Sequence, residues 1–303
     1  MDGTIETHGL AKSFGANRVL DDLTLRIDGG VFALLGRNGA GKTTLVSILT
    51  TLIRADAGTA RVAGHDVARD RRRLRAAIST TGQFAAIDEL LTGRENLVLF
   101  GRLRGLPAAV ARRRAAELLD QFGLADAAGR AANTYSGGMK RRLDLAASMI
   151  TRPAVLFLDE PTTGLDLESR QQVWRDVLAL AADGTTIFLT TQYLEEAEAL
   201  ADRIAILDGG RIVADGTASR LKAIVGGESL ALVLPTGEVL HEAPTDGTPD
   251  AVAAALRQLP PHDPAARLEL RQPTLDDVFL ALTARQRADR PADRPEMITG
   301  GAR

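Results

Sequence analysis

At 303 residues the chain is long enough for two domains of roughly 150 residues each. Its 45% hydrophobic and 25% charged residues mark an ordinary globular composition, and 37 basic against 39 acidic side chains argue against a nucleic-acid-coating protein. Cysteine is absent, which excludes a disulfide framework, thiolate metal sites and a cysteine nucleophile.

The first sixty residues read as strands around one loop. Asn17 to Ile27 alternates apolar and polar residues, the pattern of a half-buried strand. Val31 to Leu35 is a continuous apolar run stopped by Gly36, as in a strand buried on both faces. Beyond Thr43, Leu45, Ile48, Leu49 and Leu52 recur at helical spacing. From Asp70 to about Ala132 the pattern is mostly helical, and Gly138 to Ile150 reads as another helix. Alternation follows: strand Val155 to Leu158, helix Glu168 to Ala182, strand Thr186 to Thr190, helix Leu194 to Ala201 and strand Arg203 to Leu207. Strands alternating with helices predict right-handed crossovers and a parallel sheet.

A smaller α+β appendage is expected over residues 218–285. Its strand candidates are Leu230 to Leu234, Glu238 to His241 and Leu268 to Leu270; its helix candidates are Val252 to Leu259 and Leu275 to Leu282. Residues 286–303 repeat Ala-Asp-Arg-Pro and end in small polar residues, which predicts a disordered tail. The longest apolar runs, Val31 to Leu35 and Ala154 to Leu158, fall far short of the roughly 20 residues a spanning helix needs. The start, MDGTIETHGL, has neither the basic opening nor the apolar stretch of a signal peptide. By composition alone this polypeptide reads as soluble and cytoplasmic.

Gly36-Arg37-Asn38-Gly39-Ala40-Gly41-Lys42-Thr43 satisfies the phosphate-loop pattern G-x-x-x-x-G-K-[ST]. Glycines let backbone N–H groups converge on phosphate oxygens, and the following helix adds the positive end of its dipole. Lys42 is then placed to reach the β- and γ-phosphates and the Thr43 hydroxyl to ligate Mg²⁺. Gly36, Asn38, Gly39, Gly41, Lys42, Thr43 and Thr44 are the expected nucleotide contacts. Four lysines against 33 arginines make a lysine at this position informative.

Asp159 and Glu160 end the strand Val155 to Leu158 at the edge where α/β ligands bind. Adjacent residues point to opposite sides of a strand, so the two carboxylates serve different roles. Asp159 suits the outer shell of Mg²⁺. Glu160 suits a general base or water positioner for attack on the γ-phosphate. Taken alone, such a strand end is more often simply solvated; coupled to an upstream phosphate loop, it reads as functional.

Tyr135-Ser136-Gly137-Gly138-Met139 precedes a helix carrying Lys140, Arg141 and Arg142. Alone it would be a serine N-cap with a flexible turn. In this context the chain resembles the ATP-binding subunits of ABC transporters, whose signature is usually Leu-Ser-Gly-Gly-Gln. Tyr135 and Met139 replace the outer two residues, and the Ser-Gly-Gly core remains. The resemblance runs from about residue 4 to 216. It implies a P-loop NTPase domain of the ABC type over residues 1–217, with a mixed or parallel sheet and a helical signature subdomain at about 84–150. By the same resemblance Phe14 stacks on adenine. Gln83 touches Mg²⁺ and the attacking water and faces the membrane subunit, and Asp166, in Gly164-Leu165-Asp166, lies in the loop crossing between paired subunits.

The resemblance further implies that Ser136, Gly137 and Gly138 contact the γ-phosphate bound by the other copy, so that two chains sandwich two ATP molecules head to tail. One position departs from the family pattern: Gln192 stands where most members place a histidine. Glutamine donates a hydrogen bond but carries no proton or positive charge near neutral pH. Thr190 to Ala197, Tyr135 to Arg142 and Pro273 to Phe279 together look like the daunorubicin-resistance type of exporter ATPase. That type implies a separate permease subunit and a peripheral place on the cytoplasmic side of the membrane.

Two other readings stand beside it: a soluble ABC-superfamily ATPase of DNA repair or translation, and a low-turnover regulatory ATP-binding module, kept open by Gln192. The arginine runs Arg71 to Arg73 and Arg112 to Arg114 read as solvated helix faces, and Trp174 as core packing. His8, His65, His241 and His262 lack metal-ligand spacing.

Overall fold

The computed structural model describes residues 4–82, 87–260 and 264–289, with side chains described as far as residue 282. The chain divides into two compact units, residues 1–218 and 219–303. In chain order the first unit contains β1 (Ile5–Phe14), β2 (Asn17–Ile27), β3 (Val31–Leu35), α1 (Lys42–Leu49), β4 (Ala57–Val62) and β5 (His65–Asp66). There follow α2 (Arg71–Ala77), β6 (Ile78–Thr81), α3 (Gly93–Leu103), α4 (Ala108–Gln121) and α5 (Gly137–Ser148). The unit continues with β7 (Val155–Asp159), α6 (Leu167–Ala182), β8 (Thr186–Thr191), α7 (Leu194–Leu200), β9 (Arg203–Asp208) and β10 (Arg211–Gly216).

The central sheet has the order β10-β9-β3-β8-β7-β6. Its pairs are parallel except for β10, which returns antiparallel beside β9. All five residues of β3 and all five of β7 are buried, which is why these segments are uninterrupted apolar runs in the sequence. Phe188 of β8 stands between Phe32 of β3 and Phe157 of β7, with ring centroids 5.3 and 5.4 Å away. Each ring is fully buried and contributes about 2 kcal/mol by leaving water. These three strands fix where the phosphate loop and the two carboxylates emerge. A second, antiparallel sheet of order β2-β1-β4-β5 accounts for the alternation read between Asn17 and Ile27.

The expected helical stretch from Asp70 to Ala132 is interrupted by β6, which joins the parallel sheet beside β7. Four residues rich in β-branched side chains are too short to show a period of their own, and only pairing makes them a strand. The helix α3 starts with a reciprocal cap. Thr92 Oγ1 accepts from Glu95 N at 3.2 Å, while Glu95 Oε2 accepts from Thr92 N at 2.8 Å. Asn96, completely buried, spends its amide on the carbonyls of Asp88, Leu91 and Thr92 and accepts from Asp88 N. It fixes the loop that enters the helix.

The helix α8 (Ala218–Lys222) leads into the second unit, which holds β11 (Ser229–Val233), β12 (Val239–Pro244), α9 (Pro249–Arg257), β13 (Arg267–Arg271) and α10 (Leu275–Asp289). Its sheet is antiparallel in the order β12-β11-β13, and Val252 and Ala255 of α9 pack on Leu230 and Ala243. Residues 286–289, expected in the tail, are the last residues of α10; the remainder of that tail, 290–303, lies outside the described residues. Among the described residues no helix is long and apolar enough to cross a membrane.

Candidate functional site

The phosphate loop lies between the C-terminal end of β3 and the first turn of α1. Gly41, the residue before the helix, has φ of +110°, a region that disfavours any side chain. A Cβ there would also meet Leu20 Cδ2 at 2.8 Å and Val19 O at 2.9 Å, so both conformation and space require glycine. Lys42 is 5% exposed, and its Nζ donates to Gly36 O at 2.7 Å and Arg37 O at 3.3 Å. Burial pushes the Lys42 ammonium below its ordinary range, opposed by the negative charges of Glu160 and Asp159.

β7 carries the two carboxylates to different partners. Asp159 Oδ1 accepts from the Thr190 hydroxyl, and its Oδ2 accepts from Thr43 Oγ1 at 3.4 Å. The next residue turns the chain: Glu160 has φ of +49°, in the left-handed region that costs a non-glycine residue about 1–2 kcal/mol. Its N–H is held by Thr190 O at 3.0 Å, and its side chain reaches Lys42 Nζ at 3.5 Å and accepts from Thr163 Oγ1 at 3.4 Å. Thr190 of β8, fully buried, thus touches both acids and was missed by the sequence reading. A threonine inside an apolar strand was the available signal.

A cavity of about 450 Å³ brings Phe14, Gly39, Gly41, Lys42, Thr43, Thr44, Asn38 and Glu160 together. Asn17, Val19 and Arg37 also line it, and sequence reasoning missed all three. Phe14 is half exposed at the end of β1, with Lys12 Nζ 5.4 Å from its ring centroid. Gln192 follows β8, whose last residue, Thr191, accepts from Gly36 N at 3.3 Å. Thr43 and Asp159 together offer a hydroxyl and a carboxylate, hard oxygen donors of the kind Mg²⁺ takes. Gln83 lies outside the described residues. No group of three or more histidine, cysteine, aspartate or glutamate side chains placed to hold a metal ion occurs among the described residues.

Ser136, Gly137, Gly138 and Asp166 do not line this cavity. Ser136, Gly137 and Asp166 are exposed, and Gly138 is buried against α6. Ser136 caps α5 by accepting from Met139 N at 3.2 Å, and Asp166 caps α6 by accepting from Ser169 N at 2.8 Å. Ser169 N–H and hydroxyl bonds hold the Asp166 carboxyl below the usual carboxylate range. A Cβ on Gly138 would stand 2.4 Å from Ser169 Oγ and 2.7 Å from Ser169 Cβ, so glycine is what lets α5 approach α6. Tyr135, the departure from the usual signature leucine, is buried and donates through its hydroxyl to Ala127 O at 2.7 Å.

A glycine loop feeding a buried helix-start lysine, next to a strand ending in two acids, defines a P-loop nucleotide-triphosphate site. The sequence profile of the ABC transporter family matches residues 20–163. The daunorubicin resistance ATP-binding protein DrrA2 of Streptomyces coeruleorubidus is 51% identical over 93% of this chain and 96% of its own. The doxorubicin resistance ATP-binding protein DrrA of Mycobacterium tuberculosis is 44% identical over 100% and 99%, respectively. A solved ATP-binding subunit of an ABC transporter is 25% identical, covers 92% of this chain and 99% of its own, and superposes with a TM-score of 0.68. The chain belongs to the ABC transporter family as an ATP-binding subunit, and it is an ATPase.

Proposed function

We propose that this chain energises efflux of a drug or other hydrophobic compound through a separate membrane-spanning permease, docked at the cytoplasmic side of the cell membrane. Its relatives named for daunorubicin and doxorubicin resistance support the export reading. A further relative, 39% identical, is a Nod factor export ATP-binding protein of Paraburkholderia xenovorans, so the same chain type accompanies more than one exported compound.

In this reading ATP lies in the cavity, its adenine on Phe14 and its phosphates over Gly36, Asn38, Gly39, Gly41, Lys42, Thr43 and Thr44. Thr43 would hold Mg²⁺, with Asp159 in its outer shell; the family resemblance adds Gln83, which lies outside the described residues. The ion, when bound, neutralises charge on the phosphate oxygens. Glu160 orients and deprotonates the attacking water, and Gln192 donates a hydrogen bond toward the γ-phosphate. The observation that carries the reading is the separation of the two motif sets. Lys42 and Glu160 share one cavity, while Ser136 and Asp166 are exposed and do not line it. A second copy, placed head to tail, completes each site.

The test is steady-state ATPase activity of the chain with and without its co-expressed permease, together with drug efflux from cells making both. ATPase activity that responds to the permease and drives efflux is expected. Turnover indifferent to any membrane partner would point instead to a soluble ATPase of the same superfamily.

A further inference from the structure

Arg141 lies in the second turn of α5 and is 8% exposed. A buried guanidinium is costly unless its donors are used; here Nε and Nη1 are bonded across three chain segments, while Nη2 has no partner among the described residues. Nε donates to Pro161 O at 2.8 Å, and Nη1 donates to Gly82 O at 3.0 Å and to Asp144 Oδ2 at 3.2 Å. Burial lowers the pKa of the group, while Asp144, Glu196 and Asp159 hold it up, so the cation persists. Glu196 of α7, 1% exposed, closes the far side of the same region by accepting from Thr162 Oγ1 at 2.7 Å and Trp174 Nε1 at 3.2 Å.

The partners of Arg141 are specific in position. Pro161 is the residue after Glu160, and Ser136 caps the helix that carries Arg141. Pro161 has no N–H of its own, so its carbonyl is the main-chain group through which a neighbour can fix the segment beyond Glu160. Glu160 sits at a positive φ, a conformation that persists only where its surroundings hold it.

We infer that Arg141 is a positioning residue for hydrolysis: it locks the main chain bearing Glu160 in register with the helix capped by Ser136. The inference rests on the proposed reading, in which Glu160 acts on the nucleotide of its own chain and Ser136 on that of the second copy. Arg141 then ties the two nucleotide sites of the dimer together within each chain.

Arg141→Lys keeps the charge but loses the planar fork, so one ammonium cannot serve two carbonyls and Asp144 in the same geometry. At least a tenfold fall in kcat is expected, with the ATP Kd of the full chain within twofold of wild type. Arg141→Met falls further still. Arg142→Lys is the control, since Arg142 on the same helix donates to the single carbonyl of Phe122 at 3.0 Å. It shifts Tm and leaves kcat and Kd alone. A wild-type kcat in Arg141→Lys, or kcat, Kd and Tm falling in parallel, overturns the inference. Should neither Arg141 variant fold, Asp144→Asn loosens the same guanidinium with its carbonyl bonds intact. An unchanged kcat there also overturns it, and a severalfold fall at constant Kd supports it. Glu160→Gln in the same assay separates the two levels: an active Glu160→Gln removes the site reading, and an inert one beside a normal Arg141→Lys removes only the strut.

Discussion

Nζ of Lys42 stands 3.5 Å from Oε1 of Glu160, so the lysine of the glycine loop and the carboxylate beyond β7 face one another in the same cavity. Both side chains are nearly sealed from solvent. Two oppositely charged groups in that setting set each other's chemistry more strongly than surface charges do. Burial pushes Lys42 down, and the charge of Glu160 is the larger of the two that oppose it.

Glu160→Gln removes that charge and leaves the shape. ATP hydrolysis should fall by about 100-fold or more, the range of a lost general base, while ATP still binds. With one opposing charge gone, burial lowers Lys42 further, so it loses its proton at a lower pH than in wild type. The ATP Kd of Glu160→Gln, titrated toward alkaline pH, should therefore weaken earlier than that of wild type. Coincident titration curves would show that the pair is not coupled.

The class of fold was legible because buried parallel strands leave unmistakable apolar runs, as Val31 to Leu35 and Val155 to Leu158 do, and because Gly41 before Lys42 answers both a backbone and a space requirement. The short strand β6 was not legible, since Ile78 to Thr81 becomes a strand only through pairing with β7. Nor was the role of Thr190: a threonine inside an apolar strand marks the position, but what it does comes only from β8 lying next to β7. The roles of Arg141 and Glu196 were hidden for the same reason. A charged residue in a helix reads as solvated until tertiary packing buries it.

Gly138 carries two demands that substitution can separate. Gly138→Ala drives a methyl into Ser169 and should destabilise the chain by about 1–3 kcal/mol, as overpacking does. Ser169→Gly removes the obstructing Cβ. In the double variant Tm should recover in part, although Ser169 also loses its hydroxyl bond to Asp166. ATPase activity should stay low in both if Gly138 also approaches the partner-bound phosphate. Activity recovering together with Tm would leave Gly138 a packing role alone.

Gln192 ranks below Glu160. Its side chain lacks a titratable proton, and in the proposed reading what it offers the γ-phosphate is one hydrogen bond. Gln192→Ala should reduce kcat by about tenfold to 100-fold without eliminating turnover, the cost of a charge-stabilising donor set against a general base. Gln192→His restores the residue most of the family uses and should raise kcat or leave it unchanged. Complete and equal loss in Gln192→Ala and Glu160→Gln would defeat this ranking.

Tyr135 explains its own departure from the signature leucine. Its hydroxyl reaches Ala127 O, and its ring packs where a Cβ on Gly93 would collide with that hydroxyl. Tyr135→Phe keeps the ring and leaves the Ala127 carbonyl without this donor, for a loss of about 1 kcal/mol. Burial raises the phenol above its ordinary value, so the folded chain holds this proton more tightly than the unfolded chain. The resulting stabilisation is fully present below the ordinary tyrosine range and is lost as pH rises through the raised value. Unfolding by urea at neutral and at alkaline pH should therefore give wild type and Tyr135→Phe different alkaline slopes, the wild type losing stability more steeply. Parallel slopes would mean that Tyr135 ionises as freely in the folded chain as in the unfolded one, and that its hydroxyl is not held by Ala127.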